Sequence, residues 1–148
     1  MWVQLAAGAV VSLINFAIHA VVTSLIVVAT RRAALATTKA SVFVRLATLL
    51  TITMVALMVA HVIEIAVWTG YYVLLDIKLN NATPFEFAFE NYTALGYGDA
   101  LPVDSRYRLS GPITALNGLL LVGWSVAIVF EVMRMAELRF RPPRQRAN

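Results

Sequence analysis

Three long apolar runs, separated by a basic connection and by a polar stretch with recurring aromatics, set the plan of this chain. Residues 2–30 carry no charge and are interrupted by strongly polar side chains only at Gln4, Asn15 and His19. Residues 46–75 hold a single formal charge, Glu64, and residues 111–130 hold none. A helix crosses a bilayer core with about 20 apolar residues, so each run predicts a transmembrane helix. Residues 76–110 are too polar to cross, yet Phe85, Phe87, Phe89, Tyr92 and Leu95 recur within them. Thr83, Pro84 and Glu86 give this aromatic stretch a helix start: Thr83 caps, Pro84 suits the first helical position, and Glu86 completes a capping box. The helix they open, over 84–93, has about three turns and is too short to span. It predicts a re-entrant segment, whose non-helical continuation is tolerated at membrane depth only inside protein or beside water.

Composition agrees with the pattern. The 148 residues are 60% hydrophobic with a mean hydropathy of +0.77, which excludes an ordinary soluble domain. The absence of cysteine excludes a disulfide framework, thiol chemistry and any Cys-based metal site. The net charge of +4 is concentrated beside the apolar runs, which argues against a nucleic-acid partner and for a lipid bilayer. Arg31, Arg32, Lys39 and Arg45 lie in the first connection, and Arg134, Arg139, Arg141, Arg144 and Arg146 lie at the C-terminal end. Basic residues favour the cytoplasmic side. The expected topology is therefore N-terminus outside, basic loop inside, re-entrant segment outside and C-terminus inside, as a multi-pass protein of the inner (plasma) membrane. No basic residue precedes the first run, which favours an uncleaved helix over a signal peptide.

The re-entrant helix leads into Ala94-Leu95-Gly96-Tyr97-Gly98-Asp99. A cation filter replaces hydration water with rings of backbone carbonyls. Aiming successive carbonyls at one axis needs backbone angles that alternate in hand, and Gly96 and Gly98 can take positive φ without steric cost. Tyr97 can pack outward and hold the ring to size, and the charge of Asp99 would attract cations at the mouth. The short helix would point its carbonyl end at the ion path. One chain supplies one such loop, and ringing an ion takes several, most simply four.

Residues 46–136 resemble the outer helix, pore helix, filter and inner helix of the tetrameric potassium channel pore family. The resemblance implies an all-α membrane protein with three transmembrane helices plus a re-entrant pore helix and selectivity-filter loop, assembled as a homotetramer. The expected division is an N-terminal transmembrane helix (1–30), a basic cytoplasmic loop (31–45), an outer helix (46–75), a pore helix (84–93), a filter (94–99), an inner helix (111–136) and a basic tail (137–148). The ion-binding residues it implies are Ala94, Leu95, Gly96, Tyr97 and Gly98, with K+ held by their carbonyls and no other cofactor. Family filters usually read Thr-Val-Gly-Tyr-Gly-Asp. Leu95 for valine is mild, because that residue contributes its carbonyl. Ala94 for threonine is the larger departure, since the threonine hydroxyl helps form the innermost ion site. Thr93 is expected to pack on the pore helix rather than replace that hydroxyl.

Further expectations concern support and gating. Some family members pair a carboxylate at the place of Glu90 with the filter aspartate, here Asp99; otherwise Glu90 bonds a filter amide or a water. Gly118 and Gly123 are candidate bending points of the inner helix, Gly118 lying near such a glycine in the family, against the alternative that they serve close helix packing. Leu119, Val122, Ala127 and Phe130 are candidate cavity-facing positions, with Phe130 a constriction near the cytoplasmic end. Asn117 is expected to bond a neighbouring helix or the pore helix.

His61 and Glu64 stand three apart on one helix face and form a candidate pH-sensitive pair, which His19 could join. A satisfied interhelical hydrogen bond is the blander account of the same residues. A metal site is weaker still, because two or three scattered ligands lack a diagnostic spacing. No span carries Arg or Lys at every third position, so no voltage sensor is expected. No nucleophile, base and orienting group cluster visibly, so an enzyme is not expected. The function implied is passive K+ conduction through a tetrameric filter. The alternatives are a non-selective monovalent cation channel, motivated by Ala94, and a non-conducting modulatory membrane subunit.

Overall fold

The computed structural model describes residues 2–36, 41–96 and 100–140. Four α-helices account for most of them: α1 (Trp2–Ala36), α2 (Val42–Leu74), the short α3 (Pro84–Tyr92) and α4 (Ser110–Phe140), with a 3-10 turn at Ser105–Tyr107. Three are long and apolar enough to cross a membrane, and no strand occurs among the described residues.

The helices overrun the apolar runs that predict them. α1 continues past residue 30 through Arg31 and Arg32 to Ala36, and α2 begins at Val42 rather than at 46 and closes at Leu74. α4 starts at Ser110 and reaches Phe140 rather than 136. Charge ends an apolar span but not a helix, because arginine is among the better helix formers. At the far end of α4, Arg134 closes a two-pronged bond to Glu131 one turn earlier, at 2.9 and 3.0 Å. α3 stops one residue before the expected 93, with Thr93 as its C-cap.

The start of α3 forms as its sequence dictates. The Glu86 backbone N–H donates to the Thr83 hydroxyl at 3.3 Å, and the Thr83 backbone N–H donates to the Glu86 carboxylate at 2.7 Å. α2 is capped by Ser41, whose hydroxyl accepts from the Val44 backbone at 3.4 Å.

α3 sits in a cleft between α2 and α4, and α1 packs on the outside of the same two helices. One core gathers Ile65, Trp68, Tyr72, Phe87, Tyr92 and Leu121 around α3, and a smaller one joins Ile26, Leu57 and Val132 toward the other end. Small residues set the approach of α4. A β-carbon on Gly111 would meet Asn91 Oδ1 at 2.6 Å, and one on Gly118 would meet the Tyr92 carbonyl. On the opposite side, Gly8 lets α1 close on Ile113 of α4.

The stretches before α3 and before the 3-10 turn are fastened to each other. Leu79 and Pro102 form an isolated antiparallel bridge. The Asn80 N–H donates to the Leu101 carbonyl at 3.1 Å and the Val103 N–H to the Lys78 carbonyl at 2.9 Å.

Much of the surface is apolar: Val10, Leu13, Val21 and Leu25 on α1 and Met54, Val55, Met58 and Val59 on α2 are all exposed. In water this would be a far larger patch than soluble monomers show. Around a helix bundle in lipid it is the ordinary outer face.

Candidate functional site

Two structures meet at the C-terminal end of α3. The first is the turn that leaves it. The Ala94 N–H donates to the Asn91 carbonyl at 2.8 Å and the Leu95 N–H to the Glu90 carbonyl at 2.9 Å. This is the paired closure of a Schellman motif, in which one residue takes left-handed angles, usually glycine. Here that residue is Ala94, at φ 55°. Gly96 follows, also left-handed, at φ 56°. Positive φ thus occurs at Ala94, two residues before Gly96, where the sequence offers no glycine; Gly98 lies outside the described residues. A threonine, branched at Cβ, is an outlier at such an angle, so the alanine has a local reason.

The Thr93 hydroxyl turns back to the α3 carbonyls of Phe89 and Glu90, at 2.9 and 3.2 Å. Thr93 is exposed, and its hydroxyl is engaged with carbonyls of its own helix. Tyr97, Gly98 and Asp99 lie outside the described residues, and with them the carbonyls expected of Tyr97 and Gly98 and the expected Glu90–Asp99 pairing. Glu90 itself is half-buried.

Beyond the turn, Asp104 caps the 3-10 segment by accepting from the Arg106 N–H at 2.8 Å. The Arg106 side chain beside it holds the Asp104 carboxyl below the ordinary range.

The second structure is a polar ring buried where all four helices meet. Glu64 of α2 is fully buried and its carboxylate faces three partners. His19 of α1 contacts Oε1 through Nδ1 at 2.8 Å, His61 of α2 contacts Oε2 through Nδ1 at 3.0 Å, and the Tyr92 hydroxyl at the end of α3 donates to Oε2. The other imidazole nitrogens converge on Ser125 of α4, with Oγ 2.9 Å from His61 Nε2 and 3.3 Å from His19 Nε2. The structure therefore joins His61 to Glu64 as the sequence suggests, and brings in His19 from 45 residues away. Each of these groups has at least one partner on another helix.

Sequence reasoning missed Tyr92 and Ser125 as members. The available signal was weak: a hydroxyl inside an apolar span, and a tyrosine among phenylalanines. A neighbouring relay includes Asn117, whose Oδ1 accepts from Trp68 Nε1 at 2.9 Å and from Asn15 Nδ2 at 3.0 Å. Asn15 Nδ2 also reaches the Glu64 backbone carbonyl at 3.2 Å. Asn117 thus bonds two neighbouring helices, α1 and α2. Asn15 Oδ1 and Asn117 Nδ2 have no partner among the described residues.

The remaining candidates separate by face. Gly118 is wedged against the backbone of Tyr92, the close-packing arrangement, whereas Gly123 meets nothing within 4 Å. Leu119, Val122, Ala127 and Phe130 are exposed on the side of α4 turned away from the other helices.

A family model described as "Ion channel" matches residues 58–135, which run from mid-α2 through α3 and the turn to the last turns of α4. The match covers more than half of the 148-residue chain and includes every member of the polar ring except His19. No curated protein and no solved structure matches the chain.

Proposed function

This chain belongs to the ion channel family, and we propose that the ion it conducts is potassium, passed passively through a homotetrameric pore. The observation that carries this reading is the exit from α3. A short capped helix ends in a left-handed turn at Ala94, and a second left-handed residue, Gly96, opens the Gly-Tyr-Gly run. Backbone that alternates in hand is what a ring of inward carbonyls requires. In this reading Leu95, Gly96 and Tyr97 supply carbonyls, Ala94 borders the innermost site, and Gly98 allows the chain to turn toward Asp99. The exposed stripe of Leu119, Val122 and Phe130 lines the cavity below, with Phe130 as its constriction. Gly123, with open space around it, is the better candidate for a bending point than Gly118. The termini follow the basic residues, with the N-terminus outside and the C-terminus cytoplasmic in the inner (plasma) membrane.

A second reading, a non-selective monovalent cation channel, is favoured by one observation. Ala94 offers no hydroxyl, and its N–H is committed to capping α3. Purified protein in liposomes decides between them. Barium-sensitive flux down a potassium gradient with little flux down a sodium gradient supports potassium selectivity. Comparable flux of both ions supports the second reading. Absence of flux at any pH between about 4 and 9, the span of carboxylate and imidazole titration, identifies a non-conducting subunit instead.

A further inference from the structure

We propose that His19, His61 and Glu64 form a binding site for a divalent transition-metal ion of the zinc type, with Ser125 as the shared partner of both imidazoles. The donor atoms of the three residues all lie within 4.8 Å of one another. His61 and Glu64 come from one helix at i, i+3 and His19 from the helix packed against it, the way metal sites are built in helix-bundle cores. Imidazole with carboxylate suits zinc, copper, iron or nickel rather than magnesium or calcium. Two histidines and a glutamate leave a fourth tetrahedral position open, and the Tyr92 hydroxyl stands beside it, 2.7 Å from His61 Nδ1.

The buried charge points the same way. An ionised Glu64 only accepts, so without a cation every group facing it must donate. With protons on both Nδ1 atoms, both Nε2 atoms present lone pairs to Ser125, whose hydroxyl has one proton to give; with His61 Nδ1 accepting from the Tyr92 hydroxyl instead, the ring closes on its own protons. In either arrangement a carboxylate is left buried with only imidazoles as ion-pair partners among the described residues. With a metal on the two Nδ1 atoms, each Nε2 carries the proton and donates to Ser125, whose oxygen has two lone pairs to receive them. Metal-bound histidines regularly donate their second nitrogen in this way. The ion also neutralises Glu64. The His61 side chain keeps 17% of its surface accessible while those of His19 and Glu64 keep none, so entry is on the His61 side. One extra proton on an imidazole is the competing occupant.

The test titrates tag-free, full-length protein in detergent with Co2+, read by visible ligand-field absorption and by quenching of Trp124, whose ring lies 5.4 Å from that of His19. We expect saturation at one Co2+ per chain, reversal by Zn2+, affinity about tenfold weaker in Ser125→Ala, and no binding in a His19→Gln/His61→Gln double variant. Where the double variant does not fold, the wild-type stoichiometry, Trp124 quenching and Ser125→Ala affinity carry the test. A signal that survives in a folded double variant, or no absorption and no quenching at millimolar Co2+, overturns the proposal and leaves the ring to a proton. Neither readout involves ion flux, so failure of the metal site and failure of the potassium reading are separate results.

Discussion

Gly118 and the Tyr92 carbonyl touch so closely that a β-carbon on Gly118 would lie 2.0 Å from the oxygen and 2.8 Å from the carbonyl carbon. The obstacle is backbone, the end of α3 itself, and cannot rotate aside. Gly118→Ala should therefore push α4 off α3 and cost about 1–3 kcal/mol, as overpacking does. Gly123→Ala meets open space and should not destabilise, since alanine favours a helix by about 1 kcal/mol over glycine. Thermal unfolding of the two variants in one detergent checks the contrast; equal losses would remove the packing account.

The turn after α3 gives a second expectation. Ala94 at φ 55° pays the steric cost of a left-handed L-residue, about 1–2 kcal/mol. Ala94→Gly should recover part of that cost and raise the melting temperature. Ala94→Thr, although it restores the family's usual residue, should lower stability by about 1–3 kcal/mol, because a branched Cβ is worse at this angle. A melting temperature for Ala94→Thr at or above wild type would mean the turn adopts other angles.

Asn117 and Asn15 should prove unequal despite bonding each other. Asn117→Leu leaves Trp68 Nε1 without its acceptor and Asn15 Nδ2 with the Glu64 carbonyl alone, and a buried donor left unpaired costs about 1–3 kcal/mol. Asn15→Leu leaves the Asn117 oxygen still bonded to Trp68 and removes an oxygen that has no partner among the described residues. Its loss should be smaller by at least about 1 kcal/mol, and the double variant should lose less than the sum of the singles. Denaturant or thermal unfolding of the three variants provides the cycle.

Acid should weaken the start of α3. The Thr83 backbone N–H, and then its hydroxyl, hold the Glu86 carboxyl below the ordinary value. A carboxyl depressed by folding contributes stability above the pH where the unfolded chain titrates, about 4.3. That contribution fades as pH falls through the folded value. Wild type should melt above Glu86→Gln at pH 7, and the gap should close below about pH 4. A gap that stays constant with pH would show that the Glu86 charge has no part in the cap.

Much of this architecture was legible because it is written locally. The capping box at Thr83 and Glu86 closes within four residues, and the apolar runs announce their helices without reference to one another. The ends of α1 and α4 were less legible, because Arg31 and Arg134 mark where lipid stops while remaining good helix formers. The polar ring was legible only as a pair. His61 and Glu64 share a turn, but His19 stands 45 residues from Glu64, and Ser125 stands 64 from His61. Which face α1 and α4 turn toward Glu64 depends on glycines such as Gly8 and Gly118 meeting Ile113 and Tyr92, which spacing along the chain does not encode. The left-handed angle at Ala94 was hidden for a different reason, since the residues that signal such a turn are glycine and asparagine, not alanine.

The fastening of Leu79 to Pro102 has a mechanical consequence. It turns everything from the end of α2 to the start of α4 into a closed loop with a single neck. A pull on the outer end of either helix passes across the backbone bonds between Asn80 and Leu101 and between Val103 and Lys78, from one helix to the other. That route does not run through the left-handed residues Ala94 and Gly96. α3 lies inside the loop and is held a second time, by its packing between α2 and α4.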